Sequence, residues 1–323
     1  MVLLPDTVLE LIKKEHVLES NTEQKPLERK KLLSSIIDKH GLLSTVTDRI
    51  DEELLDKARN LKVIANCAVG FDNIDIPAAT QRKIPVTNTP GVLTDTTADL
   101  AFALILATGR RLVEGDRMVR EGRFKYVTPS GFLGQDISGK VLGILGLGRI
   151  GKAVAKRAAG FNMKVIYFNR NKLSQEDEQA VGAQFVDFET LLKTSDFVSI
   201  HVPLTPDTRH MLSTTQLKLM KPSAYLINTS RGPVVDEEAL VMALRDKKIK
   251  GAGLDVYEKE PTLTPGLKEL ENVILLPHVG SASVETRTKM AYMAAENLLA
   301  VLNGEIPPNC LNGQALYGDR KMV

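Results

Sequence analysis

The sequence predicts an α/β fold with two domains, each built around a parallel sheet. Short apolar runs alternate with helical patterns along most of the chain, which is typical of strands that helices cover on both faces. One such run, Val141 to Leu145, leads into Gly146-Leu147-Gly148-Arg149-Ile150-Gly151 and then into a helical segment. A glycine turn between a strand and a helix is typical of Rossmann-like domains. We therefore predict two Rossmann-like domains.

The first domain is predicted to be discontinuous. Its strands are expected at Gly41 to Ser44, Val63 to Cys67 and Val86 to Asn88, and a helical pattern covers Glu52 to Asn60. A last helix, from about Val284 to Asn303, ends at Gly304, and we expect it to pack back on this domain. A substrate-binding domain then comprises residues 1–96 and 282–323, and a dinucleotide-binding domain comprises residues 97–281.

The second domain is predicted to begin with a long helix. Thr94 or Asp95 can cap a helix that runs from Thr96 to about Arg120. Strand and helix then alternate. The strands are expected at Val141 to Leu145, Val165 to Phe168, Phe197 to Ile200, Ala224 to Ile227, Gly253 to Val256 and Val273 to Leu276.

Composition excludes several classes of protein. The 323 residues are 43% apolar and 25% charged, as in soluble globular proteins. Apolar stretches are short, and the N-terminus lacks the pattern of a leader, so we expect a cytoplasmic protein without a membrane span. The net charge of +2 is spread over interspersed residues, which argues against a nucleic-acid partner. Cys67 and Cys310 stand far apart, so neither a disulfide framework nor a metal site is predicted.

The glycine turn indicates a nucleotide, and the next strand indicates which one. Free N–H groups at the start of a helix hold a pyrophosphate, and glycines let the backbone approach it. An NAD site usually places Asp or Glu at the end of the following strand, beside the ribose. Here that strand ends in Asn169-Arg170-Asn171-Lys172. Two cations without an acid favour the 2′-phosphate of NADP(H). A solvated loop that accepts either cofactor is the alternative.

Three residues beyond other strands describe a site that can reduce a carbonyl group. Arg231 can hold a carboxylate in two hydrogen bonds and polarise an adjacent carbonyl. His278 can donate a proton to a ketone oxygen, and Glu260 can fix its tautomer. Taken singly, they could be a salt-bridging Arg, a turn residue and a structural His. His201 is a weaker candidate for the acid because no carboxylate lies near it in sequence, and His16, His40 and His210 receive no role.

These motifs resemble those of the D-isomer-specific 2-hydroxyacid dehydrogenases, and most closely their glyoxylate and hydroxypyruvate reductase branch. The resemblance extends from about Gly41 to Pro308 in several ordered segments. They include Ala68-Val69-Gly70-Phe71-Asp72-Asn73-Ile74-Asp75, Asn88-Thr89-Pro90-Gly91-Val92, the glycine turn, His201-Val202-Pro203-Leu204-Thr205, the Arg231 segment, Gly253-Leu254-Asp255-Val256 and Pro277-His278-Val279-Gly280-Ser281. The tryptophan often seen shortly after Gly122 in the reductase branch is absent.

The resemblance implies roles for particular residues. Arg231, Glu260 and His278 would form the catalytic set, and backbone amides around Val69 and Gly70 would help to hold the substrate carboxylate. Cofactor contacts are implied at Thr97, Gly146, Gly148, Arg149, Ile150, Gly151, Val202, Pro203, Thr208, Thr229, Asp255 and Gly280, and the ribose would lie near Asn169 and Arg170. Members of this family are usually dimers joined through the coenzyme domains.

The expected activity is NAD(P)H-dependent reduction of a short 2-oxoacid, glyoxylate or hydroxypyruvate, with His278 as the proton donor. A D-3-phosphoglycerate or other 2-hydroxyacid dehydrogenase remains an alternative. Phosphite oxidation is not excluded, whereas a formate dehydrogenase is disfavoured because Leu276-Pro277 precedes the histidine. A different class of protein, a non-catalytic nucleotide-sensing protein of the same fold, also remains open.

Overall fold

A computed structural model describes residues 4–21, 23 and 25–318 of the chain. The chain divides into two compact units, one formed by Met1–Leu93 with Ala282–Val323 and the other by Thr94–Ser281. Each unit contains a parallel sheet with helices packed on it. The predicted α/β class with two parallel-sheet units is confirmed.

The elements follow one another in a regular alternation. The first part of unit 1 contains α1 (Asp6–Lys13), α2 (Arg29–Ser35), β1 (Gly41–Ser44), α3 (Glu52–Lys57), β2 (Val63–Asn66), α4 (Ile76–Gln81) and β3 (Val86–Thr87). Unit 2 contains α5 (Thr94–Gly109), α6 (Leu112–Arg120), β4 (Val141–Leu145), α7 (Arg149–Ala159), β5 (Lys164–Phe168), α8 (Gln175–Val181), β6 (Ala183–Phe185), α9 (Phe188–Thr194), β7 (Phe197–Ile200), α10 (Thr214–Leu217), β8 (Tyr225–Asn228), α11 (Glu237–Arg245), β9 (Gly251–Leu254) and β10 (Val273–Leu275). Unit 1 is completed by α12 (Val284–Leu302) and α13 (Gly313–Tyr317).

Unit 1 is a three-stranded sheet in the order β1-β2-β3 with helices on both faces. On one face, Ala294 and Leu298 of α12 pack with Leu43 of β1 and Val63 of β2. Asn312, just before α13, closes the edge of β3, because its side chain accepts from the Val86 N–H and donates to the Ile84 carbonyl. The C-terminal segment is therefore part of the core of this unit.

Unit 2 is a seven-stranded parallel sheet in the order β10-β9-β8-β7-β4-β5-β6. The strand order reverses at β4, which pairs with β5 on one side and β7 on the other. Helices α5 and α7 cover one face, and α9, α10 and α11 cover the other. In such a sheet, ligands bind beyond the carboxyl ends of the strands, at the point of reversal.

The predicted helix from Thr96 to Arg120 is wrong, because the chain breaks between α5 and α6. Arg111 adopts a left-handed conformation with φ of 54°. The carbonyl of Gly109 accepts from the N–H of Gln135, so a later loop takes the place of a continuing helix. The edge strand β6 was not predicted. No helix among the described residues is both long and apolar enough to cross a membrane.

Candidate active site

The glycine turn connects β4 to α7, and two of its glycines are required by the protein itself. Gly146 has φ of +95°, and a Cβ there would lie 2.8 Å from the His201 backbone. A Cβ on Gly151 would collide with the Gly146 carbonyl. These glycines allow the sharp turn and the close packing of α7 on β4.

The middle glycine of the turn, Gly148, is not required by any contact within the protein. A Cβ on Gly148 would have no neighbour within 4 Å, and its φ of −83° suits any residue. No contact within the protein therefore requires a glycine here, and the open space lies at the start of α7, where N–H groups attract anions. A buried hydroxyl on the same sheet edge is also unsatisfied, since Thr229 is 8% exposed and Oγ1 has no partner among the described residues. Both features fit a bound dinucleotide.

Other residues expected at the cofactor lie in loops after strands or in the first turns of α5 and α7, and several already have partners. Asn169 follows β5, and its Oδ1 accepts from the Leu147 N–H at 2.7 Å, so it supports the glycine turn. Thr208 donates to the Pro203 carbonyl at 2.6 Å within its own loop. Thr97 lies beside Gly280, as a Cβ on that glycine would be 3.4 Å from its methyl group. Arg149 and Ile150 begin α7, and Val202 follows β7.

Arg170 follows Asn169 and is exposed. It makes no ion pair with any residue that the structure describes, whereas Lys172 lies 3.8 Å from Glu178. An unpaired guanidinium at this strand end is available to an incoming phosphate.

The structure brings Glu260 and His278 together. The loops after β9 and β10 place Nδ1 of His278 2.8 Å from Oε2 of Glu260, and both side chains are about one-third exposed. The other carboxylate oxygen accepts from the Tyr257 N–H. Burial raises the pKa of Glu260, but the hydrogen bond and charge of His278, the Tyr257 N–H and the charge of Arg231 outweigh it, and the pKa is lowered overall. The carboxylate is therefore ionised near neutral pH, and Nε2 of His278 remains to act on a ligand.

Two further side chains hold the His278 loop. Asp255 is 1% exposed, and its carboxylate accepts from the N–H groups of Val279 and Gly280, both at 2.7 Å. Burial raises the pKa of Asp255, although these two hydrogen bonds partly offset it. Tyr257 donates from its hydroxyl to the Leu276 carbonyl at 2.7 Å, and burial raises its pKa to about 12. The segment around His278 is thus anchored on both sides.

Arg231 follows β8 and is held by its own turn. Its carbonyl accepts from Asn228 Nδ2, and its guanidinium donates to the Ser230 carbonyl at 2.8 Å. The next residue, Gly232, lies against the peptide between Tyr257 and Glu258, where any Cβ would collide with the backbone. The glycine therefore brings the Arg231 turn against the loop that carries Glu260.

The remaining histidines of the site region differ from His278. His201 Nε2 lies 2.8 Å from Ser199 Oγ, and burial lowers the pKa of His201 to about 4, so its ring is neutral at pH 7. His210 Nε2 lies 2.9 Å from Glu258, a second imidazole–carboxylate pair that the sequence analysis missed. Glu237 was missed as well: it is 2% exposed and accepts from the Glu258 N–H and from Thr264.

The residues implied for the substrate carboxylate lie in unit 1. Val69 and Gly70 follow β2 in a segment without regular structure and are half-buried. Within the described part of the chain, no group of three or more His, Cys, Asp or Glu side chains could hold a metal ion.

Comparison with known proteins gives consistent results. Residues 102–280 match the model of the D-isomer specific 2-hydroxyacid dehydrogenase, NAD binding domain. The chain is 53% identical to a glyoxylate reductase of Thermococcus litoralis over 317 residues, which cover 97% of this chain and 96% of that protein.

Solved structures agree with the sequence relatives. A glyoxylate reductase from Paecilomyes thermophila has a TM-score of 0.86 and 35% identity, and the match covers 97% of each chain. An NADPH-dependent glyoxylate/hydroxypyruvate reductase from Sinorhizobium meliloti, in complex with NADP and malonate, has a TM-score of 0.83 and 31% identity, covering 100% of this chain and 98% of that one.

Substitution of Gly148 tests whether the glycine turn binds the pyrophosphate of a nucleotide. We expect Gly148→Ala to fold, with a loss of at most about 1 kcal/mol at the helix N-cap, because its Cβ meets open space. The Kd for NADPH, followed by nucleotide fluorescence, should rise about tenfold or more, since the methyl group occupies the anion's place.

Gly160→Ala at the other end of α7 is the matched control, because its Cβ would meet only an ordinary contact at 3.5 Å. It should leave the Kd unchanged. Equal nucleotide binding by both variants would contradict a pyrophosphate site at Gly148.

Proposed function

Because this chain belongs to the D-isomer-specific 2-hydroxyacid dehydrogenase family, we propose that it is an NAD(P)H-dependent reductase of short 2-oxoacids, with glyoxylate or hydroxypyruvate as substrate. The observation that carries the proposal is the 2.8 Å hydrogen bond between His278 and Glu260, two residues from separate loops at one sheet edge. The identity to glyoxylate reductases over nearly the whole chain supports the choice of substrate.

The roles of the three catalytic residues follow from their chemistry. Arg231 orients the 2-oxoacid, because its planar guanidinium can bind the carboxylate and polarise the neighbouring keto group. His278 donates a proton from Nε2 to the keto oxygen, while Nδ1 stays bonded to Glu260. The ionised Glu260 stabilises the protonated ring and holds its orientation.

The reaction balances with one hydride and one proton. When bound, the reduced nicotinamide supplies the hydride that the keto carbon accepts. The π electrons of the carbonyl move to oxygen, which takes the proton from His278 to give the 2-hydroxyacid. His201 does not compete for this role, since burial lowers its pKa to about 4 and keeps it unprotonated.

We further propose NADP(H) as the preferred cofactor. Arg170 is exposed and unpaired among the described residues, and no acidic residue stands in Asn169-Arg170-Asn171-Lys172 to repel a 2′-phosphate. The NADPH dependence of the Sinorhizobium meliloti reductase supports this choice.

A homodimer is part of the proposal. Six large apolar side chains on α6 and the segment after it are more than half exposed: Leu112, Val119, Phe124, Tyr126, Val127 and Leu133. An apolar surface of this kind favours association, and a second copy of the chain is the proposed partner. Sedimentation equilibrium of the purified chain would show a monomer if this assignment is wrong.

The activity is tested with a panel of 2-oxoacids. Glyoxylate, hydroxypyruvate, pyruvate and 3-phosphohydroxypyruvate are assayed with NADPH and NADH by the loss of absorbance of the reduced cofactor. We expect the highest kcat/KM for glyoxylate or hydroxypyruvate. Preference for the phosphorylated substrate would favour a phosphoglycerate dehydrogenase, and nucleotide binding without turnover of any substrate would favour a sensor protein.

Charge reversal at Arg170 tests the cofactor preference. Arg170→Asp should lower kcat/KM for NADPH by about 10- to 100-fold, because it replaces a phosphate-binding cation by a repelling anion, and should change the value for NADH much less. Lys156→Asp, an equal charge change at an exposed position of α7, is the control. Equal losses with both cofactors would remove the role of Arg170.

The pH profile tests the His278–Glu260 pair. The lowered pKa of Glu260 means that its carboxylate is ionised above the carboxyl's ordinary value of 4.5 and becomes neutral only as the pH falls through the lowered value. Reduction of the keto group consumes a proton, so its rate declines as the pH rises. Glu260→Gln removes the stabilising charge, and we expect this decline to begin at lower pH, with kcat at pH 7.5 reduced about 10- to 100-fold.

The second imidazole–carboxylate pair provides the control. Glu258→Gln alters the partner of His210 instead and should leave the position of the pH profile unchanged. A Glu260→Gln profile that coincides with the wild-type profile would refute the assignment of the pair.

A further inference from the structure

In the segment after β2, Cys67 to Phe71, hydrogen bonds fix the orientation of successive peptide groups. Three successive carbonyl oxygens each accept a hydrogen bond from a neighbouring segment of unit 1. The Ala68 carbonyl accepts from the Thr89 N–H at 2.9 Å, Val69 accepts from Asn88 Nδ2 at 2.8 Å, and Gly70 accepts from Asn66 Nδ2 at 2.8 Å.

A hydrogen bond that fixes a carbonyl group also fixes the direction of the N–H bond of the next residue. A trans peptide is planar, and its C=O and N–H point in opposite directions. The bond from Asn88 to the Val69 carbonyl therefore fixes the direction of the Gly70 N–H. The bond from Asn66 to the Gly70 carbonyl fixes the Phe71 N–H in the same way.

The N–H groups on the other side of these peptides remain available. No described residue accepts from the N–H of Val69, Gly70 or Phe71. The backbone bends at residues 67–69, and successive N–H groups in a turn can point toward one anion. Val69 and Gly70 are half-buried and Phe71 is exposed, so an acceptor from outside the protein can reach these N–H groups.

The two asparagine side chains are themselves fixed. Asn66 is fully buried and accepts from the Ser44 hydroxyl at 3.3 Å, which leaves its Nδ2 to donate. Asn88 is 7% exposed, and its backbone is held as well, because the main-chain carbonyl accepts from Asn297 Nδ2 of α12 at 3.3 Å. Neither amide can turn to solvent, so each acts as a rigid donor.

We propose that Asn66 and Asn88 are positioning residues for the substrate carboxylate: they orient the N–H groups of Gly70 and Phe71 before the anion arrives. This inference rests on the proposed function, which supplies the 2-oxoacid. Preorganised donors bind an anion without the cost of ordering the segment at the moment of binding. The same segment without its asparagines would have to be ordered by the ligand.

Two variants and a matched control test the inference. Asn88→Ala and Asn66→Ala should each raise KM for glyoxylate about tenfold, because a contact made equally in ground and transition states is weakened. The kcat should stay within about twofold, and KM for NADPH should not change. Asn73→Ala is the control, since Asn73 Nδ2 holds the carbonyls of Thr45 and Asp48 in the same unit but none in the Cys67 to Phe71 segment.

A binding measurement separates this inference from the proposed function. Oxamate, an unreactive analogue of a 2-oxoacid, is titrated into ¹⁵N-labelled wild-type protein with NADPH present, and the affinity is measured by calorimetry. Oxamate should shift the amide resonances of Gly70 and Phe71, and both asparagine variants should bind it about tenfold more weakly than Asn73→Ala does.

The outcomes are distinct. Wild-type protein that binds oxamate through these amides but reduces no 2-oxoacid would overturn the proposed function alone. Unmoved amide resonances would overturn the role of the asparagines. So would equal effects of all three variants, if Asn73→Ala changed KM and the oxamate affinity as much as Asn66→Ala and Asn88→Ala do. The NMR measurement needs no substitution, and unmoved amide resonances would overturn the inference even if a variant fails to fold.

Discussion

A buried carboxylate fixes the loop on which the proposed chemistry depends. Asp255 accepts from the N–H groups of Val279 and Gly280, immediately after His278. His278 itself has φ of 55°, a left-handed conformation that costs a non-glycine residue about 1–2 kcal/mol. Two charge-assisted hydrogen bonds are of sufficient strength to offset this. The backbone that carries the imidazole is therefore held by the residue that follows β9.

The loop that carries Glu260 is held from behind by a second set of acidic residues. Glu237 accepts from the Glu258 N–H at 2.9 Å, and the Glu258 side chain lies 2.9 Å from His210. Gly232 lies against the same peptide and leaves no room for the loop to move toward the Arg231 turn. The two acidic residues of this short segment therefore have different roles. Glu258 contacts Glu237 and His210, whereas Glu260 contacts the imidazole of His278.

Much of this architecture could be predicted from local pattern. Apolar runs such as Val141 to Leu145 and Phe197 to Ile200 became strands with the predicted bounds, since a buried parallel strand leaves a plain signal in the sequence. Parallel strands place their carboxyl ends at one edge, which is why Arg231, Glu260 and His278 could be assigned to neighbouring strand ends.

The failures have a common cause, because each depends on residues distant in sequence. At the helix break before Arg111, the Gly109 carbonyl accepts from the distant N–H of Gln135, a partner that Arg110-Arg111 does not indicate. β6 is a short edge strand that exists through its pairing with β5. Glu237 lies at the start of a helix, where acidic residues are common. The sequence therefore did not indicate that its side chain is buried and hydrogen-bonded to a distant loop.

The placement of α12 has a consequence for biosynthesis. Its side chains cover Leu43 and Val63 on one face of the first sheet, although more than two hundred residues separate them along the chain. On the ribosome, the continuous segment Thr94–Ser281 emerges whole before α12 does. Unit 2 is thus able to fold during translation. Until α12 is synthesised, one apolar face of the N-terminal sheet stays uncovered, and a chaperone could protect it during that time.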